Sequence, residues 1–183
     1  MRIISGKARG RRLNTPQSQH TRPTTDRIRE SLFAILGDVR GCVVLDGFAG
    51  TGALGLEAWS RGAARCTFVE RDRKAAQLVR ANLELLAVPD DEATLVQLPL
   101  DRALPRMTEA FDLIFLDPPY HTALLAEALA LLAARPDLCT EDTLIIAEQE
   151  ADEPELGGEA FEAEDVRTYG RTRLTFLRRA AQA

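Results

Sequence analysis

A glycine-rich motif with an acidic residue downstream indicates a site for a nucleotide-like ligand. Residues 46–55 read DGFAGTGALG, and Gly50, Gly52 and Gly55 fit the pattern GxGxxG between a predicted strand and a predicted helix. Glycines at these positions let a ligand approach the backbone closely. Glu70 follows Gly50 by 20 residues, which is where a carboxylate binds ribose hydroxyls in such folds. The motif therefore predicts a site for a ligand that contains adenosine.

The residue before the glycines narrows the type of ligand. Asp46 ends the predicted strand, and a pyrophosphate placed there would meet a like charge in a confined site. S-adenosylmethionine (SAM) has no phosphate and instead presents a sulfonium, an amino group and an adenosine. Asp46 suits the positive end of SAM, the backbone at Gly50 and Gly52 suits close approach, and Glu70 suits the ribose. We therefore predict SAM as the cofactor.

A second motif, Asp117-Pro118-Pro119-Tyr120, follows the apolar residues 113–116. The two prolines fix the backbone and remove two N–H donors, so carbonyl oxygens remain as the polar groups. An exocyclic amine of a nucleobase is a poor nucleophile because its lone pair is delocalised into the ring. Acceptance of its two hydrogens by the Asp117 carboxylate and the Pro118 carbonyl would orient the nitrogen and stabilise its developing positive charge. Tyr120 offers a ring on which an extruded base can stack.

Charge is distributed unevenly along the chain. The formal net charge is −5, yet residues 1–40 contain nine Lys or Arg residues against three acidic ones, while residues 141–165 contain eleven acidic residues and no Lys or Arg. The basic N-terminal arm is predicted to bind phosphate groups. The acidic run from residue 148 to residue 165 is predicted to lie on a solvated surface.

Composition excludes collagen-like, disulfide-dense and wholly disordered proteins. The chain has 183 residues, 45% hydrophobic and 28% charged, which fits one ordinary globular domain with an appended arm. Its longest apolar stretch, residues 124–134, is too short to span a bilayer, and no signal peptide is expected. Three cysteines without a CxxC spacing and only two histidines predict a reduced, cytoplasmic protein without a metal site. His121 is expected to be a loop residue rather than a base, and Trp59 a core residue.

Strand and helix patterns alternate along the rest of the chain. This alternation indicates an α/β fold with a mostly parallel sheet covered on both faces and an antiparallel pair at its end. The predicted helices are residues 26–36, 53–61, a segment that Asp72 caps, and 123–134. The predicted strands are residues 43–46, 67–70, 94–98, 112–116, 144–147, 165–169 and 173–177. Residues 152–158 resemble a linker.

Four segments together resemble one known family. Residues 1–13 and 21–33, joined to the motifs at 46–55 and 117–120, are similar to the RsmD family, bacterial methyltransferases that modify N2 of a guanine in 16S rRNA. The resemblance implies a class I SAM-dependent methyltransferase fold, Rossmann-like, with a seven-stranded mixed sheet in the order 3-2-1-4-5-7-6 and strand 7 antiparallel. It further implies a short N-terminal β-hairpin extension over residues 1–22 and a methyltransferase domain over residues 23–183.

The resemblance also assigns roles to residues. The catalytic residues that it implies are Asp117, Pro118, Pro119 and Tyr120. The SAM-binding residues are Asp46, Gly47, Phe48, Gly50, Thr51, Gly52 and Glu70, with Asp101 near the adenine and Thr25 in a segment over the cofactor. The alternative for this last segment is that Thr24 or Thr25 simply caps the helix predicted at residues 26–36. The charge distribution, rather than the resemblance, gives the candidate RNA-binding residues of the basic arm, which are Arg2, Lys7, Arg9, Arg11, Arg12 and Arg22. The expected partner is 16S rRNA, within the small ribosomal subunit or an assembly intermediate, and the expected oligomeric state is a monomer.

Three other functions fit parts of the sequence. The same tetrapeptide occurs in enzymes that methylate adenine N6 in DNA, although this chain has no added recognition domain. An NAD-linked oxidoreductase would use the same glycine motif, but Asp46 and the lack of a substrate domain disfavour it. A ribosome-assembly protein that binds SAM without catalysis would retain its phenotype in an Asp117→Ala variant, whereas an enzyme would lose methylation.

Overall fold

The computed structural model describes residues 1–16 and 26–180. Its strands form one seven-stranded sheet in the order β3-β2-β1-β4-β5-β7-β6, which confirms the predicted order. The strands are β1 Val43–Asp46, β2 Arg65–Val69, β3 Ala93–Val96, β4 Leu113–Leu116, β5 Leu144–Glu150, β6 Phe161–Tyr169 and β7 Thr172–Arg179. The helices are α1 Asp26–Leu36, α2 Ala53–Ser60, α3 Arg73–Leu86, α4 Leu100–Ala103 and α5 Leu124–Ala133, with a 3₁₀ turn at Leu104–Arg106.

The central strands end side by side. Strands β1 to β5 are mutually parallel, and β7 runs antiparallel to both β5 and β6. Asp46, the last residue of β1, pairs with Phe68 on one side and Phe115 on the other. The loops that follow β1, β2 and β4 therefore emerge at the same edge of the sheet, where open α/β sheets bind their ligands.

Alternation along the strands produces two apolar layers. Val44 and Phe115 belong to one buried cluster, whereas Leu45 and Ile114 belong to another. Because successive side chains of a strand point to opposite faces, these clusters lie on the two sides of the sheet. Trp59 is 4% exposed within the first cluster, which confirms its prediction as a core residue.

Local signals account for the helix boundaries near the ligand edge. The Asp72 side chain accepts hydrogen bonds from the backbone N–H groups of Lys74 and Ala75, which caps α3 as predicted. Helix α4 was not predicted, because four residues give too short a pattern to show helical periodicity. No helix in the described part of the chain is long and apolar enough to cross a membrane.

The acidic run differs from its prediction at its beginning. Strand β5 extends to Glu150, three residues beyond the predicted end, and Glu148, Gln149 and Glu150 are buried. The prediction of a solvated surface was therefore wrong for these three residues. Their burial follows from the pairing of β5 with β7, which covers this end of the strand. Periodicity in β5 alone does not reveal this covering.

The N-terminal arm folds back on itself and packs on the domain. Its antiparallel pairing is a single bridge between Arg2 and Arg12, supported by hydrogen bonds such as that from the Ile3 N–H to the Arg11 carbonyl. Ile3 and Leu13 are buried in the first cluster. The arm is thus continuous with the core in residues 1–16, while the predicted boundary between residues 22 and 23 lies outside the described residues.

A buried carboxylate on α2 anchors the arm. Glu57 accepts hydrogen bonds from the backbone N–H groups of Ile4 and Ser5, at 2.7 and 3.0 Å. The same carboxylate lies 3.7 Å from Nε of the buried Arg29 and accepts from Nε of Arg61. Because a buried charge must be paired to be tolerated, this network fixes the arm against α1 and α2.

The third glycine of the motif is required for packing of α2 on β2. A Cβ added at Gly55 would lie 2.4 Å from Cε1 of Phe68. We expect Gly55→Ala to lower the free energy of unfolding by about 1–3 kcal/mol, because overpacking forces the neighbouring ring to move. Urea unfolding measures this change. Adding Phe68→Leu should recover part of the loss, and a Gly55→Ala protein as stable as wild type would contradict the packing argument.

Candidate active site

A cavity of about 1680 Å³ opens at the carboxyl ends of β1, β2 and β4. Its walls combine the glycine loop, the end of β2, the turn at α4 and the loop after β4. The predicted site residues that line it are Asp46, Gly47, Phe48, Gly50, Thr51, Glu70, Asp101, Asp117, Pro118, Pro119 and Tyr120. The structure thus brings the two sequence motifs, which are far apart in the chain, to one cavity.

The glycine loop is held open by left-handed backbone and by hydrogen bonds to side chains. Gly50 and Gly52 have φ angles of 57° and 80°, a region that favours glycine. Asp46 Oδ2 accepts from the Gly55 N–H at 3.0 Å, which ties the end of β1 to the first turn of α2. Gly52 is the N-cap residue of α2 and contributes no side chain. The loop therefore has no side chain at Gly50 that would keep a ligand in the cavity from the backbone.

Glu70 links the glycine loop to α3. Its Oε2 accepts from the Gly50 N–H at 2.8 Å, and its Oε1 accepts from the Asp72 N–H at 2.7 Å. Each carboxylate oxygen has a second lone pair, so both retain capacity to accept a hydroxyl. This geometry suits the predicted contact with a ribose diol.

Burial changes the acidity of Asp46. The residue is 2% exposed. Desolvation raises the pKa of its carboxyl to about 7, opposed by the hydrogen bond from Gly55 and assisted by the negative charge of Glu70. A cation beside Asp46 would favour the ionised form. The site is therefore suited to a positively charged ligand rather than to a phosphate.

The loop after β4 begins beside the glycine loop. The Gly47 N–H donates to the Phe115 carbonyl at 2.9 Å, so the segments after β1 and before Asp117 are adjacent. Pro118 is buried, whereas Pro119 is exposed and its carbonyl accepts from the Thr122 hydroxyl. Asp117 and Pro118 thus both line the cavity beside the glycine loop.

Tyr120 is half-buried and its hydroxyl is engaged. It donates to Glu148 Oε1 at 2.7 Å and lies 3.4 Å from Oγ1 of Thr172. Burial and the neighbouring Glu148 charge raise the pKa of the Tyr120 phenol. The hydroxyl is therefore suited to a structural hydrogen bond and not to proton abstraction.

The remaining predicted site residues are Asp101, Gly52, Arg22 and Thr25. Asp101 lies on α4 at the cavity and is exposed. Gly52 caps α2 between Thr51 and Ala53, which line the cavity, but is not itself a lining residue. Arg22 and Thr25 lie outside the described residues.

The cations of the arm are exposed, and some are paired. Arg2 lies 3.8 Å from Asp26, while Lys7 contacts Glu92 at 2.9 Å and lies over the ring of Trp59. Arg11 donates to the Leu85 carbonyl. Arg9 and Arg12 are exposed. Lys7, Arg9 and Arg11 together line a groove of about 440 Å³.

Sequence reasoning missed the role of Glu148 and part of that of His121. His121 is a loop residue as predicted, but its φ is 56° and its Nε2 lies 2.7 Å from Glu150 Oε2. The hydrogen bond with Glu150 raises the pKa of the imidazole. His121, Glu150 and Asp152 hold ligand atoms within 4.8 Å of one another, and the expectation of no metal site stays a prediction. The only sequence signal that Glu148 belongs to the site is its position just after an apolar strand.

Comparison with known proteins gives consistent matches. The model of the family described as conserved hypothetical protein 95 matches residues 1–178. A ribosomal RNA small subunit methyltransferase D of Haemophilus influenzae is 38% identical over 173 residues, covering 93% of this chain and 89% of that protein. The structure of a proposed methyltransferase, yhhF, of Escherichia coli has 36% identity and a TM-score of 0.86, covering 100% of this chain and 99% of that one.

A more distant structure shares the fold alone. A proposed SAM-dependent methyltransferase of Streptococcus mutans is 19% identical with a TM-score of 0.64, covering 83% of this chain and 48% of that one. A structure with the same identity, TM-score and coverage is a complex with S-adenosylhomocysteine (SAH). The chain thus shares its fold with these two structures.

Proposed function

The chain belongs to the family described as conserved hypothetical protein 95, the RsmD family, and from this we propose that it is a SAM-dependent methyltransferase of N2 of a guanine in 16S rRNA. The observation that carries the proposal is the placement of Asp117 and Pro118 in the same cavity as the glycine loop. One motif suits an activated methyl donor and the other suits a base amine. Their adjacency is what direct transfer requires.

The acceptor groups of the cavity fit SAM. The buried Asp46 carboxylate suits a cationic group, and Glu70 retains lone pairs for the ribose hydroxyls. Gly50 and Gly52 let the backbone approach the ligand, and Asp101 lies at the same cavity for the adenine. When bound, SAM supplies an activated methyl group.

The chain's own residues prepare the target amine. The Asp117 carboxylate and the Pro118 carbonyl accept the two amine hydrogens, which aligns the nitrogen lone pair and stabilises the positive charge that develops there. Alignment of two reactants supplies on the order of 7–11 kcal/mol of a barrier. Tyr120 stacks on the extruded guanine, and the proton released after transfer passes to water or to Asp117. The reaction needs no covalent enzyme intermediate.

The exposed arm is the proposed RNA-binding surface. Arg2, Lys7, Arg9, Arg11 and Arg12 project from the described part of the arm, and Arg22 follows in the sequence. These cations would contact phosphates of the small-subunit rRNA, while the cavity reads the base. We further propose that the protein acts in the cytoplasm as a monomer on rRNA in the small subunit or its precursor.

Salt dependence tests this surface. If Arg9, Arg11 and Arg12 contact three phosphates of single-stranded RNA, raising the salt concentration from 50 to 200 mM should weaken RNA binding roughly 20-fold. We expect the triple change to Gln at these positions to reduce the slope of log affinity against log salt by about 2. The control is Arg178→Gln on β7, which should leave the slope unchanged. A wild-type affinity independent of salt would contradict the assignment.

A transfer assay tests the proposed reaction. Labelled SAM is incubated with small subunits that lack native methylation, with naked 16S rRNA and with duplex DNA, followed by nucleoside analysis. Label in N2-methylguanosine at one position is the expected result, and the substrate that carries it identifies the natural form of the RNA. Label in N6-methyladenine of DNA would retain the mechanism and overturn the substrate. Bound SAM without transfer to any of the three would favour a binding protein.

A further inference from the structure

Strand β5 extends past the end of β4, under the loop that carries the proposed catalytic residues. Leu116, the last residue of β4, pairs with Ala147, and β5 continues for three more residues. Glu148 is therefore the first β5 residue beyond this pairing, next to the position where Asp117 begins the loop. The same stretch of β5 pairs with β7, where Glu150 faces Thr172. The loop after β4 therefore lies next to the end of β5, whose backbone is paired with β7.

Glu148 contacts the functional loop through Tyr120. Its side chain is buried, with a residue exposure of 5%, and Oε1 accepts the Tyr120 hydroxyl at 2.7 Å. Hydrogen bonds to a charged acceptor are about twice as strong as neutral ones. Oγ1 of Thr172 lies 3.4 Å from the same hydroxyl, so residues from β5 and β7 meet at the tip of the tyrosine.

The residue after Tyr120 is also held by the end of β5. The His121 N–H donates to Glu153 Oε1 at 2.9 Å, and its ring Nε2 lies 2.7 Å from Glu150 Oε2. Glu150 also accepts from Nε of Arg171 at 2.6 Å. His121 has a φ of 56°, a conformation that the surrounding contacts must maintain. The loop is therefore fixed at His121, directly after Tyr120, and at the tip of the Tyr120 side chain.

We propose that Glu148 is a positioning residue that fixes the Tyr120 ring in the orientation in which the target base stacks on it. This inference rests on the proposed function, because it concerns the base that receives the methyl group. A tyrosine free to rotate about its side-chain torsions would lose conformational entropy when a base stacks on it. A ring already fixed by Glu148 has lost that entropy on folding, so stacking costs less. Glu148 touches neither the base nor the cofactor in this arrangement.

A double-mutant cycle tests the coupling of the two residues. Tyr120→Phe keeps the ring and removes the hydroxyl, while Glu148→Ala removes the acceptor. We expect each change to lower kcat/KM for the RNA about 10-fold, mainly through KM, with SAM affinity unchanged. The double variant should be no worse than either single variant, because the second change removes an interaction that is already lost. Glu148→Gln keeps an acceptor oxygen and should recover most of the activity.

The possible results distinguish failure of the positioning role from failure of the proposed function. Additive losses in the double variant, or wild-type kinetics in Glu148→Ala, would overturn the positioning role while leaving the proposed function intact. The cycle is run on whichever nucleic acid accepts label from the wild-type protein. If that nucleic acid is DNA, the proposed substrate is overturned, but the cycle still measures the coupling between Glu148 and Tyr120. A wild-type protein that labels none of the substrates would overturn both proposals. Thermal unfolding of each variant shows whether a loss of activity is a loss of fold.

Discussion

Replacement of Asp117 by alanine is expected to lower methyl transfer about 10²–10³-fold, the range found when one preorganised polar group is removed from an active site. Asp117 lines the cavity directly after β4, and its carboxylate is one of the two acceptors proposed for the base amine. Without it, the amine nitrogen loses one of two orienting contacts and the charge that stabilises it. SAM affinity should be nearly unchanged, because the proposed cofactor contacts come from Asp46 and Glu70.

The measurements are kcat for transfer from labelled SAM and the Kd of SAM by calorimetry. Asp117→Asn retains an acceptor oxygen but no charge, so its loss should lie between wild type and alanine. Asp91→Ala makes the same chemical change on an exposed loop residue and should leave both quantities unchanged. If Asp117→Ala transferred methyl groups at the wild-type rate, the assignment of the acceptor would be wrong, and a binding role would be favoured for this loop.

The central part of the fold was predictable because its residues carry strong local signals. Strand β1 and the start of α2 are marked by an apolar run and glycines, and the residue that caps α3, Asp72, is of a type that caps helices. The sheet order came from the family resemblance. The pairing of β1 with β4, which brings Asp46 close to the segment before Asp117, is a long-range contact that no local pattern contains.

The site was predictable in its motifs and not in its supporting contacts. The residue types in the glycine pattern and in the tetrapeptide after β4 indicate a cofactor site and a catalytic site. Glu148, in contrast, was read as part of a charged surface, because eleven acidic residues in 25 positions are typical of solvated segments. Its burial depends on β7 covering the end of β5, and its partner Tyr120 lies 28 residues away. Similarly, Glu57 reads as an ordinary helix residue, yet it anchors the arm because Arg29 is buried beside it.

Affinity for SAM is expected to rise about 10-fold between pH 6 and pH 8, because the Asp46 carboxyl has a pKa raised to about 7 and the ionised form is the one that attracts a cation. At pH 6 only about a tenth of the protein has Asp46 ionised, so binding releases a proton. Calorimetry in buffers of different ionisation enthalpy measures that proton directly. Asp46→Asn should bind SAM more weakly and without this proton release. Wild-type binding that released no proton at pH 6 would contradict the assignment.

The same carboxyl makes stability and ligand binding oppose each other. Its folded-state pKa lies above the unfolded value of 3.8, so its contribution to stability is fully present below pH 3.8 and is lost as the pH rises through about 7. At pH 8 the ligand-free protein therefore carries a buried charge that Asp46→Asn removes while still accepting the Gly55 N–H. We expect the Tm of Asp46→Asn to exceed that of wild type at pH 8, and the difference to shrink towards pH 4. Saturating SAM should reverse the order at pH 8, because only the wild-type carboxylate gains a cationic partner.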